Sequence, residues 1–222
     1  MEIILDNSES KDVGSHSGKG VRRGSVIDEK VSADIWVDNL VPIVSKGNVH
    51  NVYLCSSISE PIEYCKLIEF LGMMGEDDTV YLRLNNGGGN VDSGMMICNA
   101  IKECKGRTIA DVQGMVASIS TFIALAADEI IVGDHANFMV HNYSHGTSGT
   151  GSQVKEYVNF IDEELGKTFK IVYDGFLTKA EMATVLKHDK EIWMGKEELV
   201  GRLEKIGKIK GNSVDGSVGG VR

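Results

Sequence analysis

Between Asn51 and Tyr143 the chain alternates short β-branched runs with segments whose apolar residues recur every three or four positions, and that alternation limits the folds open to it. The first run is NVYLCSSI, 51–58. Behind it EPIEYCKLIEFLGMM, 60–74, sets Ile62, Cys65, Leu67, Ile68 and Leu71 at helical spacing. TVYLRLN, 79–85, is a second strand, and NVDSGMMICNAIKEC, 90–104, starts with Asn and Asp at cap-like positions before a helical apolar face. RTIADVQG, 107–114, is strand again, SISTFIALAA, 118–127, is a buried helix, and EIIVG and NFMVHNY are two further strands. Repeated strand–helix–strand order predicts an α/β fold with a mostly parallel sheet and helices on its faces.

From Gly151 to Phe176 a long helical pattern follows, in which Val154, Val158, Ile161, Leu165, Phe169, Val172 and Phe176 step by three or four. A compact domain of this size does not easily cover such a stripe, which predicts a protruding helix and oligomerisation. TKAEMATVLKH, 178–188, reads as the last helix, with Thr178 as its cap. Residues 7–30 are rich in Gly, Ser and charge with almost no large apolar side chains, so their burial cannot offset ordering entropy. The expected organisation is a mobile arm over 1–30, a folded body over 31–206, and a flexible Gly/Ser-rich tail over 207–222.

The net charge of −9 repels phosphate backbones and anionic lipid, and there is no basic stripe, so neither nucleic acid nor a membrane surface is an expected partner. No window approaches the ~18 continuous apolar residues of a membrane span. The start, MEIILDNSESKD, lacks the basic flank and apolar core of a signal peptide, and a cytoplasmic location is expected. Cys55, Cys65, Cys98 and Cys104 lack the paired spacing of a zinc site and read as reduced thiols; no metal or cofactor is expected.

Chemistry concentrates at two turns. LNNGGGNVDSG, 84–94, lacks the Lys-Ser/Thr of a phosphate-binding loop, and a dinucleotide fingerprint starting at Gly87 would put Asp92 in its last glycine position. Its glycines can instead bring a backbone N–H close to a developing oxyanion, or simply make a tight turn. GMVASISTF, 114–122, places Ser118 after a strand and at the mouth of an apolar helix, where its hydroxyl reaches the C-terminal edge of the sheet. Ser120 lies turned about 200° away and reads as a packing residue. A serine needs a base. Of six histidines, His141 ends the strand NFMV and can reach the same edge. Asp189 and Glu191, just after the 178–188 helix, are the candidate orienting acids.

With these residues in place the chain resembles the proteolytic subunit of the Clp protease, and in particular its divergent phage and prophage relatives, from about Asn48 to Ile206. The family's Asn-Ser-Pro-Gly-Gly turn is matched by Asn85-Asn86-Gly87-Gly88-Gly89, and its Gly-x-Ala-Ala-Ser-Met-Gly by Gly114 through Ser120. Its Met-Ile-His-Gln-Pro is matched by Met139-Val140-His141-Asn142-Tyr143. The resemblance implies a ClpP/crotonase-like spiral of β-α units with a protruding handle helix, and a serine endopeptidase. Ser118 would be nucleophile, His141 general base, and the N–H groups of Gly88 and Ile119 the oxyanion hole. It further implies stacked homo-oligomeric rings enclosing a chamber for peptide or unfolded-protein substrate, fed by an AAA+ unfoldase ATPase or used in phage protein processing. The triad acid in this register is Glu191, two residues before Trp193, whereas Asp189 is the expected chemical type. Ser120 stands where the family has Gly, and Gly87 where it has Pro. A non-catalytic assembly subunit of the same scaffold and a crotonase-type acyl-CoA enzyme are the competing readings.

Overall fold

The computed structural model describes residues 34–36, 41–144 and 146–209. The arm expected over 1–30 and the tail beyond 209 lie outside the described residues. The elements in order are β1 (Asp34–Trp36), β2 (Ile43–Lys46), β3 (Val49–Leu54), α1 (Cys65–Gly72), β4 (Thr79–Asn86), α2 (Val91–Glu103), β5 (Arg107–Ala117) and α3 (Ile119–Ala126). They continue as β6 (Glu129–Val132), β7 (Asn137–Val140), α4 (Gly151–Val172), α5 (Lys179–His188), β8 (Ile192–Gly195) and α6 (Lys196–Lys205).

The expected α/β class is what is found. β3, β4 and β5 run parallel, and β5 carries two further parallel partners: β6 along Ile109–Val112 and β7 along Met115–Ala117. One strand of 11 residues therefore spans both halves of the fold and delivers its C-terminal end to the site. A register shift between Leu84 and Asn86 loosens β4 from β5 just before the glycines, and the Asn85 side chain fills the gap, accepting from the Met115 N–H at 3.1 Å. Alternation decides which face is covered: Val80, Leu82 and Leu84 are buried, while Tyr81 and Arg83 lie on the more open face.

The helix SISTFIALAA is buried as its composition requires: every residue from Ile119 to Leu125 is buried. Its Phe122 meets Phe169 and Tyr173 edge-on, and the last turn of α4 is anchored there, with Phe169, Tyr173 and Phe176 all buried. The outer part of α4 is different. Tyr157 and Phe160 are exposed and Val154, Val158, Ile161 and Leu165 only half-covered, so the stripe that looked too long for one domain is indeed left largely open. The helix ends at Val172 rather than at Phe176, because the chain turns there and Gly175 takes a φ of +71°.

Three features depart from the sequence expectation. A β1–β2 antiparallel extension precedes β3, and α5 is not the last helix, since β8 pairs antiparallel with β7 and leads into α6. The α6 signal was present: Leu199 and Leu203, four apart, are both fully buried. Contacts also run past the expected boundary at 206. The Ile130 N–H donates to the Lys208 carbonyl at 2.9 Å, and the Lys208 ammonium donates to the Ala127 carbonyl.

Thr178 caps α5 in a capping box with Glu181, whose carboxylate also takes two hydrogen bonds from Arg202 of α6. The Arg202 guanidinium, with help from Thr178, pushes the Glu181 carboxyl down to about 2. A carboxylate depressed on folding adds stability above its unfolded pKa, and loses it as pH falls through the folded value. Glu181→Gln, which keeps the capping acceptor, should therefore lower the urea midpoint at neutral pH. The gap to wild type should close as pH falls from about 4.3 to about 2.

Candidate active site

Ser118 joins β5 to α3 with φ 58° and ψ −132°, a conformation that side chains other than glycine rarely adopt. Such strain costs about 1–3 kcal/mol and persists only where the surroundings impose it. Here the Ser118 N–H is tied to the Met139 carbonyl at 2.9 Å, and its carbonyl accepts from the Thr121 N–H at 2.9 Å and from the Thr121 hydroxyl. The sharp turn lifts the side chain out of a buried segment, beside the first N–H groups of α3.

His141 follows the last residue of β7. Its Nε2 lies 2.7 Å from Ser118 Oγ, so with the proton on Nδ1 the imidazole accepts the serine hydroxyl's hydrogen bond. The two residues that the sequence brought together are thus in contact.

The acids are not in contact with the imidazole. Continued one step beyond Val140–Ile192, the β7–β8 register sets Glu191 opposite His141, but the Glu191 carboxylate accepts from the Trp193 indole N–H at 2.8 Å. Asp189 sits in the left-handed region at φ 49° and accepts from Asn142 Nδ2 at 2.8 Å. Among the described residues no carboxylate is hydrogen-bonded to His141.

In the glycine loop the N–H expected to serve the oxyanion has a partner within the loop. The Gly88 N–H, read as an oxyanion donor, is already given to Asn86 Oδ1 at 2.9 Å. Gly88 instead gives clearance: a Cβ there would lie 2.6 Å from Ser118 Cβ and 2.7 Å from the Ala117 carbonyl. The next residue, Gly89, lines the pocket with Ser118, Ile119 and His141, and its carbonyl-side neighbour Asn90 is pinned by an N–H bond of 2.7 Å to Ile58. Asn86 organises this loop, donating to the Leu54 carbonyl at 2.7 Å and accepting from both Gly88 and the buried Ser120 hydroxyl. Ser120 is therefore a support for the glycine turn rather than only a packing residue. A polar side chain inside so apolar a helix was the available signal.

The pocket beside Ser118 is small, about 50 Å³, and its apolar wall is Val91, Phe122, Leu165 and Phe169. No group of three or more His, Cys, Asp or Glu placed to hold a metal occurs among the described residues.

The family model of the Clp protease matches residues 47–201. The chain belongs to the Clp protease family. Membership of the Clp proteases favours the serine-peptidase reading over the acyl-CoA enzyme. Among similar proteins, the ATP-dependent Clp protease proteolytic subunit 2 of Pseudomonas aeruginosa is 31% identical over 137 residues, 59% of this chain and 66% of that protein. Proteolytic subunit 3 of Rhizobium meliloti is 27% identical over 156 residues, 67% of this chain and 77% of that protein. Subunit 2 of Treponema denticola is 23% identical over 167 residues, 72% and 83% of the two chains. Identities this low fit a divergent member. No helix among the described residues is long and apolar enough to cross a membrane.

Proposed function

We propose that this protein is a serine endopeptidase in which Ser118 is the nucleophile and His141 the general base. The observation that carries the reading is the 2.7 Å contact between Ser118 Oγ and His141 Nε2 at the mouth of α3. Ser118 Oγ attacks the peptide carbonyl as its proton passes to Nε2; the imidazolium then protonates the leaving amine, and water, deprotonated by the same nitrogen, releases the acyl group. The N–H groups of Ile119 and Gly89 receive the oxyanion, the first at the positive end of α3 and the second in a loop where no side chain intervenes. The apolar wall beside Ser118 suits a small apolar side chain next to the scissile bond.

The protein works as a homo-oligomer of stacked rings, in the cytoplasm, on peptide or unfolded protein delivered by an AAA+ ATPase or on phage proteins being processed. The half-covered stripe of α4 supports assembly, since it offers an apolar face that one copy leaves open. A fluorophosphonate probe tests the chemistry directly: the native protein should be modified at Ser118 alone, one label per chain. A folded protein that takes up no label would overturn the reading.

A further inference from the structure

His141 has Ser118 on one ring nitrogen and, among the described residues, no carboxylate on the other, yet the two residues that follow it are both fixed to acids. Asn142 uses both ends of its amide. Its Oδ1 accepts from the Tyr143 N–H at 3.0 Å, and its Nδ2 donates to Asp189 Oδ1 at 2.8 Å. Tyr143 in turn donates its phenol to Asp162 of α4, and burial together with that carboxylate pushes the phenol up to about 12. The backbone that carries the imidazole is thus tied to the end of α5 on one side and to α4 on the other.

We propose that Asp189 is a positioning residue that acts on His141 through the Asn142 amide and not by direct contact with the imidazole; this rests on the Ser118–His141 reading above. The chemistry separates the two roles. An acid facing the imidazole supplies negative charge to the imidazolium formed in the reaction, which a neutral amide cannot replace. An acid that only receives the Asn142 N–H supplies an acceptor oxygen, which an amide carbonyl replaces well. The left-handed turn at Asp189 does not confuse the comparison, because asparagine and glycine both adopt it readily.

The test follows the rate of fluorophosphonate labelling at Ser118, and kcat and KM on a peptide, in the full chain. Asn142→Ala and Asp189→Gly should each slow labelling and kcat about tenfold, with KM within about twofold, and the double variant should be no slower than the slower single. Asp189→Asn should stay within about threefold of wild type. The proposal is overturned if Asp189→Asn loses about a thousandfold or more, the mark of a direct acid–imidazole contact. It is equally overturned if Asn142→Ala labels at the wild-type rate or if the two losses multiply. Failure of the underlying peptidase reading looks different, because the wild type itself would then not label.

Discussion

Ser118→Ala is expected to lower kcat/KM for peptide hydrolysis by about a thousandfold or more, leaving only what binding and oxyanion donors achieve with water. Fold and peptide binding should survive, since what is lost is one hydroxyl and its bond to His141. Alanine at φ 58° carries backbone strain much like that of serine, so the thermal midpoint should shift little. Peptide turnover by the purified variant, set against wild type at equal chain concentration, checks the result. Retained turnover would move the nucleophile elsewhere.

The second large effect is expected at Gly89. Its φ of +148° is one that side chains avoid, and an added Cβ would lie 2.1 Å from the Ile58 carbonyl oxygen and 2.9 Å from two further Ile58 backbone atoms. Backbone cannot swing aside as the tip of a side chain can. Gly89→Ala must break the Ile58–Gly89 bridge and move the N–H assigned to the oxyanion, and should cost roughly 2 kcal/mol or more of stability together with about a hundredfold in labelling rate. Gly87→Ala is the contrast: nothing lies within 4 Å of its added Cβ, and no positive φ is required. Urea midpoints and labelling rates of the two variants should differ widely, and equal behaviour would remove Gly89 from the site.

Much of this could be read from the chain because the signals were local. Strand–helix alternation gave the sheet, a serine between a strand and an apolar helix pointed to Ser118, and a histidine at the end of the strand NFMV pointed to His141. Asparagine at the cap of α2 and threonine at the cap of α5 likewise act where they stand, Asn90 accepting from the Ser93 N–H at 3.0 Å and Thr178 from the Glu181 N–H at 3.2 Å.

The remainder depended on partners distant in sequence. Which loop N–H stays available is decided by Asn86, and Asn86 is held by Ser120, 34 residues away. Where the two acids go is decided by the β7–β8 pairing and by the left-handed turn at Asp189, neither of which a spacing of two residues from an aromatic can foretell. Asn142 looked unremarkable beside His141 until its partner 47 residues on was known.

The 22 residues of α4 rise about 33 Å, yet only Phe169 among them is fully buried. Its outer turns start from a capping box at Thr150 and carry surface ion pairs of Lys167 with Glu163 and Glu164, and isolated helices of that length are marginal in water. In a single copy the free energy of opening is expected to rise along the helix from Gly151 toward the aromatic anchor. Asp162 lies midway on that gradient. Fraying from the outer end of a single copy would reach the Tyr143–Asp162 tether before it reached the core, which makes the segment bearing His141 the part of the site most directly tied to the folding of α4.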